Sequence, residues 1–173
     1  KPFDDILERG PFMGREQGAF IKNICGTSYN GNGFGVAPGL GIGATSGLEL
    51  YTEFLKSYDS LTFKNEDGTL NTKTIVSYTT ETLLSHGLND NNDEPQEVAG
   101  VWIYPTDVLC PMDHTQANKL NITDRTVSIH LYDCSWINHN TIRYKLHLLK
   151  NLLARRFGVK FINKCINIMT FRK

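Results

Sequence analysis

No stretch of the 173 residues is long and apolar enough to cross a membrane, and no signal-peptide pattern opens the chain. C-x-x-C pairs are missing too. Cys25, Cys110, Cys134 and Cys165 lie far apart, which reads as reduced thiols in a cytosolic protein rather than a disulfide framework or zinc site. Net charge is zero: 18 Lys plus Arg balance 18 Asp plus Glu, so no overall charge points to nucleic acid. Within that balance the last thirty or so residues are basic and the middle is acidic. G-x-x-x-x-G-K-[ST] is absent, as are a clean dinucleotide fingerprint, internal repeats and low-complexity segments. What remains is an ordinary globular composition, 40% hydrophobic and 21% charged, that can fill a core. Its length suits one domain or a large piece of one. A chain that opens on Lys1-Pro2 without Met is expected to be part of something longer.

The stretch that organises the sequence is Thr126 to Trp136, T-V-S-I-H-L-Y-D-C-S-W. Strand alternation would put Val127, Ile129 and Leu131 on a core face and Ser128, His130 and Tyr132 on a polar one. Ser135 and Trp136 follow in a short turn, so an imidazole, a hydroxyl and an indole would gather at the end of a buried strand. Spacing alone favours His130 as a hydrogen-bonded core histidine and Trp136 as a packing residue.

Ahead of it, Asp4 to Arg9 reads as a short helix stopped by Gly10 and Pro11, and Phe12 to Gly14 as the start of a strand. Phe20 to Ile24 reads as a short apolar element, and Glu16 as an exposed, solvated carboxylate. Gly26 to Gly43 is glycine-rich and contains a strand at Gly33 to Ala37. A helix from about Ser46 to Tyr58 carries a capping box, Ser46 with Glu49, and a core stripe of Leu48, Tyr51, Phe54, Leu55 and Tyr58. Thr62 to Lys64 reads as a strand, followed by the turn Asn65-Glu66-Asp67-Gly68. Ser77 to His86 is a helix with Thr79, Thr80 and Glu81 in its first turn and Gly87 as its stop. A polar loop, Asn89 to Pro95, leads to a strand at Val98 to Tyr104 and an extended piece at Val108 to Pro111. Two amphipathic basic helices end the chain, about Asn140 to Phe157 and Val159 to Phe171. The first has a stripe of Ile142, Leu146, Leu149 and Leu153, widened by Leu148 and Leu152.

The ending S-I-H-x-x-x-x-S-W resembles the C-terminal signature of sugar-nucleotide glycosyltransferases with a DXD motif, known as family 32. K-P-F-D-D-I-L, G-N-G-F-G-V-A-P-G, T-T-E-T-L-L-S-H-G-L and I-Y-P-T-D agree with it in order, over roughly Lys1 to Ile137. The resemblance implies an α/β fold, the C-terminal portion of a GT-A type transferase over 1–138, with a basic helical tail over 139–173. It implies transfer of a sugar from a UDP- or GDP-sugar to a glycan or lipid-linked acceptor, retaining and metal-dependent, in cell-surface polysaccharide synthesis. A divalent cation, manganese or magnesium, stabilises the leaving diphosphate in such enzymes. Mapped here, His130 is the metal ligand. Ser135 and Trp136 belong to the donor site with Asn30 and Gly31, and Thr80 and Glu81 lie near the transferred sugar. Thr79 stands where closer relatives carry Gln, and Leu131 replaces a second histidine. The D-x-D itself is not in the chain: Asp4 and Asp5 are adjacent and open a helix. The 173 residues alone are therefore expected to lack turnover and to bind manganese weakly. The alternative reading is a non-catalytic carbohydrate-binding or assembly module of the same fold. A cytoplasmic location is expected, with the basic tail offering peripheral contact to anionic lipid at the inner membrane face.

Overall fold

The computed structural model of the chain describes residues 2–17, 34–89, 91–113, 119–131 and 139–170. It is a mixed α/β protein whose four-stranded sheet is covered by helices on both faces. Helix α1 (Pro2–Arg9) leads into strand β1 (Phe12–Gln17), followed by β2 (Phe34–Gly43), α2 (Glu49–Tyr58) and α3 (Ile75–Ser85). After these come β3 (Gln96–Val98), β4 (Val101–Tyr104), the single helical turn α4 (Thr106–Leu109), and a two-stranded ribbon of β5 (Met112–Asp113) and β6 (Lys119–Leu120). The helices α5 (Ile142–Phe157) and α6 (Val159–Thr170) follow. No described helix is long and apolar enough to cross a membrane.

The sheet order is β2-β1-β4-β3, with β1 and β4 parallel and both outer pairs antiparallel. Period-two alternation distributes the inner strands between two cores. Met13, Val101 and Ile103 join Val36, Leu50, Leu83, Leu88 and Val98 under α2 and α3. Phe12 and Tyr104 point the other way, to Ile6, Val108 and Leu109 under α1 and α4, with Trp102 and Val127 packed alongside. Gly14 permits that second contact: a Cβ there would lie 2.9 Å from Leu109 Cδ1 and 3.0 Å from Leu109 Cβ. On β2 the pairing with β1 jumps from Ala37 to Ile42. The skipped stretch contains Pro38, which has no N–H to give a ladder, and Gly41 at φ +144°.

Several expectations are revised. The capping box does not form: α2 begins at Glu49 with Leu48 as an uncapped N-cap, and Leu50, outside the expected stripe, is the buried residue. Leu55 is 72% exposed. The strand expected over Val98 to Tyr104 is a hairpin, because Ala99 and Gly100 both take positive φ, 49° and 78°, as a two-residue primed turn requires. Val108 and Leu109 belong to α4 rather than to an extended piece. Thr62 to Lys64 reduces to one bridge between Lys64 and Leu70, while the turn at Asn65 to Gly68 closes with a 2.9 Å bond from Gly68 N to Asn65 O.

The largest revision concerns the organising stretch. Residues 126–131 form no strand; Ile129 is 40% and Leu131 62% exposed. The reason lies in where the backbone bonds go. Val127 N donates to Val108 O at 2.9 Å, and Ser128 Oγ donates to Leu109 O at 3.0 Å. The segment thus satisfies carbonyls at the end of α4, which a helix terminus leaves without partners, instead of joining a ladder. The element expected at Phe20 to Ile24 lies outside the described residues.

Candidate functional site

The parallel strands β1 and β4 end side by side, and open α/β sheets commonly bind ligands beyond the carboxyl ends of such strands. Polar side chains near that end are buried: Arg15 and Glu16 on β1, which alternation turns to opposite faces, and Ser77, Thr79 and Thr80 on α3. Buried ionisable groups need partners. Arg15 Nη2 donates to the Asn89 carbonyl at 2.7 Å. Glu16 is thus an interior carboxylate, not the solvated one that its sequence context suggested.

The helix α3 starts two residues earlier than expected, at Ile75, with Thr74 as N-cap accepting from Ser77 N. Thr79 and Thr80 therefore sit in the second turn, facing the sheet. Thr80 Oγ1 accepts from Val36 N at 2.9 Å and donates to Val76 O at 2.6 Å. One hydroxyl thus blunts the outer edge of β2 and fixes α3 against it. Glu81, beside it, is half exposed and paired with Lys73, whose Nζ lies 4.3 Å from the Tyr78 ring.

On the other face a cleft of about 360 Å³ is lined by Asp5, Arg9, Glu94, Tyr104, Asp124 and Arg125 among others. Arg9 lies over the Trp102 ring, 5.3 Å from its centroid. The Tyr104 hydroxyl is buried without a hydrogen-bond partner among the described residues. Burial pushes its pKa up, with the nearby Arg9 guanidinium opposing. One wall is held by a fork: Arg125 Nε and Nη2 each donate to Asp107 at 3.0 Å, and Nη1 donates to Asp93 O at 2.8 Å. Thr123 Oγ1 adds a bond to Asp107 Oδ2 at 2.9 Å, and Thr126 Oγ1 one to Asp107 O at 2.7 Å. Asn92 completes the wall by accepting from Thr106 N and donating to Thr106 Oγ1. The strap over residues 121–128 is thereby tied to α4, and His130 follows two residues later. The imidazole is on the exposed side of the chain, and partial desolvation holds its pKa below the ordinary value.

No family model matches this chain, and neither does any curated protein or solved structure.

Of the residues singled out from the sequence, Thr80 and Glu81 lie together on α3, and His130 lies beyond the strap on the opposite face. Asn30, Gly31, Ser135 and Trp136 fall outside the described residues. Among the described residues no group of three His, Cys, Asp or Glu side chains is placed to hold a metal ion. The sequence reading passed over Arg15, Tyr104, Asp107 and Arg125. Tyr104 and Asp107 both stood in the quoted motif I-Y-P-T-D, but the role of Asp107 as acceptor for Arg125 depends on pairing across 18 residues.

Proposed function

We propose that the chain is the sugar-handling part of a glycosyltransferase that uses a UDP- or GDP-sugar and acts on a glycan or lipid-linked acceptor, with a GT-A type fold. The observation that carries the reading is that the described parts of the five stretches on which the resemblance rests pack into one unit. K-P-F-D-D-I-L forms α1, whose Ile6 meets Tyr104 and Val108 of the I-Y-P-T-D region. T-T-E-T-L-L-S-H-G-L lies in α3, whose Thr80 binds Val36 of the glycine-rich stretch. The approach to S-I-H is tied to Val108.

The cleft supports a carbohydrate ligand in particular. A sugar presents donors and acceptors around an apolar ring, and the lining mixes carboxylates, guanidinium groups, a phenol and the apolar Ile6 and Val108. Tyr104 would give its unused hydroxyl to a sugar oxygen. Within this reading Thr80 positions α3, Glu81 lies on the face of the sheet opposite the cleft and does not touch a sugar held beside Tyr104, and Asn30, Gly31, Ser135 and Trp136 remain the donor-site residues. Manganese or magnesium would neutralise the leaving diphosphate. His130 alone does not hold such a cation, and no step is assigned through it.

Release of UDP or GDP from a panel of nucleotide sugars, with manganese, is the test. It is run on a chain that carries a D-x-D strand ahead of Lys1. Release is expected from one donor or a few, lost in His130→Ala and weakened in Tyr104→Phe. Binding without release would favour the carbohydrate-binding module, and neither binding nor release would contradict both readings.

A further inference from the structure

The two C-terminal helices do not use their apolar residues on the sheet. Ala154 and Ile162 are buried against each other with Val159 and Ile166, which closes α5 and α6 into a hairpin. Gly158 makes the sharp connection at φ +89°. The long stripe of α5 stays outside: Ile142 is 73% and Leu146 57% exposed, and Leu149, Leu153 and Phe157 are exposed with them. Leu148, Leu152 and Phe161 are exposed as well, and the Phe157 and Phe161 rings meet across the turn at 6.4 Å. An apolar surface of this extent, left uncovered, marks an interaction site.

Its charge says what covers it. No Asp or Glu occurs after Asp133, whereas nine of the 18 Lys and Arg lie from Arg143 onward. Residues 1–133 therefore hold all 18 acidic residues against nine basic ones, a net charge of −9. On α5, at 3.6 residues per turn, Lys145 and Arg156 fall inside the apolar sector, between Leu152 on one side and Leu149 on the other, and Lys150 borders it at the far side. A dry protein partner would have to bury those cations, and the hairpin has no carboxylate to pair them. At a bilayer surface their long stems lie along the apolar face while the charged ends reach lipid phosphates.

We propose that the α5–α6 hairpin docks flat on an anionic membrane surface through the Ile142–Leu146–Leu149–Leu153–Phe157 stripe, with Lys145, Lys150 and Arg156 on lipid phosphates. The acidic remainder of the chain is repelled by the same surface, which leaves the sheet and its cleft turned toward the aqueous side. This surface is separate from the sugar cleft and stands whether or not the chain handles a nucleotide sugar.

The test is flotation of the full chain with vesicles of phosphatidylcholine alone and of phosphatidylcholine mixed with phosphatidylglycerol. Binding roughly tenfold stronger to the anionic vesicles is expected, falling as salt is raised. Leu146→Asp with Leu149→Asp should abolish flotation. Lys145→Glu with Arg156→Glu should abolish the preference for anionic lipid. These positions are exposed, so unchanged helix content by circular dichroism is expected for both variants, and the wild-type comparison stands without them. Absence of flotation, or equal flotation with both vesicles, would overturn the proposal. So would salt-sensitive self-association without flotation, which would make the acidic face of a second copy the occupant.

Discussion

The C-terminal hairpin is richer in apolar residues than the sheet body, and the two treat them in opposite ways. In the body Met13, Leu83, Val101 and Ile103 are buried almost completely, and the buried Arg15 and Thr80 have partners. Among the described residues of the hairpin only Ala154 and Ile162 are buried, while a row of leucines faces outward among lysines and arginines. The same helical periodicity thus serves a core in α3 and an external contact in α5. Amphipathic spacing shows that a helix has an apolar face; what that face meets depends on the rest of the fold. The charge division follows the same boundary, acidic before Asp133 and basic after it.

The sharpest way to break this comparison is to remove the same side chain from each region. Leu83→Ala leaves a cavity in the larger core and should cost about 2–5 kcal/mol in urea unfolding. Leu149→Ala should change stability by no more than about 0.5 kcal/mol, because its side chain is already in solvent. Equal losses would mean that the stripe is packed after all. A smaller effect is expected for Thr80→Val, which keeps the shape but leaves the Val36 N–H without its acceptor, a loss of about 1–2 kcal/mol. Thr80→Ser, which keeps the hydroxyl, should lose less than Thr80→Val; no loss in Thr80→Val would show that the bond to Val36 N contributes nothing. Asp107→Asn comes next at about 1 kcal/mol, since half-exposed Arg125 is screened by solvent. Its clearest sign should be faster amide exchange at Val127, which donates to Val108 at 2.9 Å. Unchanged exchange there would show that the strap does not need the fork.

The smallest effect concerns pH. Burial raises the Tyr104 pKa in the folded chain above its ordinary value near 10. Above that value the unfolded chain loses the phenol proton while the folded one keeps it, so this contribution to stability is present at neutral pH and declines as pH rises. Tyr104→Phe should flatten the alkaline limb without destabilising the protein at neutral pH. A steeper limb in the variant would contradict the burial argument.

The body's elements were largely readable because their signals are local. Gly10 and Pro11 stop α1, Gly87 follows α3, and the Asn65 to Gly68 turn is closed by its own residues. What could not be read depended on distant partners. Ala99-Gly100 turns a hairpin without the Asn-Gly or Asp-Gly sequence that signals one. The stretch 126–131 alternates like a strand, yet its partner is the end of α4 and not a neighbouring strand. Glu16 and Arg15 look like surface residues until β2, β4 and α3 close around them. The hairpin's periodicity was plain, but the destination of its apolar face needed the observation that the sheet was already covered by α1, α2, α3 and α4. For the candidate site, sequence placed Thr80 on the right helix and two residues too near its start; Tyr104 lay in the I-Y-P-T-D stretch, but nothing there signalled a cleft.

The most direct measurement of the central reading, a body that takes a nucleotide sugar, is a titration of the isotope-labelled chain, carrying a D-x-D strand ahead of Lys1, with manganese and UDP- and GDP-sugars, followed by amide chemical shifts. Shift changes are expected at Tyr104, Asp124, Arg125 and His130, with the amides of Leu146 to Phe157 unmoved. Changes confined to the hairpin, or none with any nucleotide sugar, would contradict it.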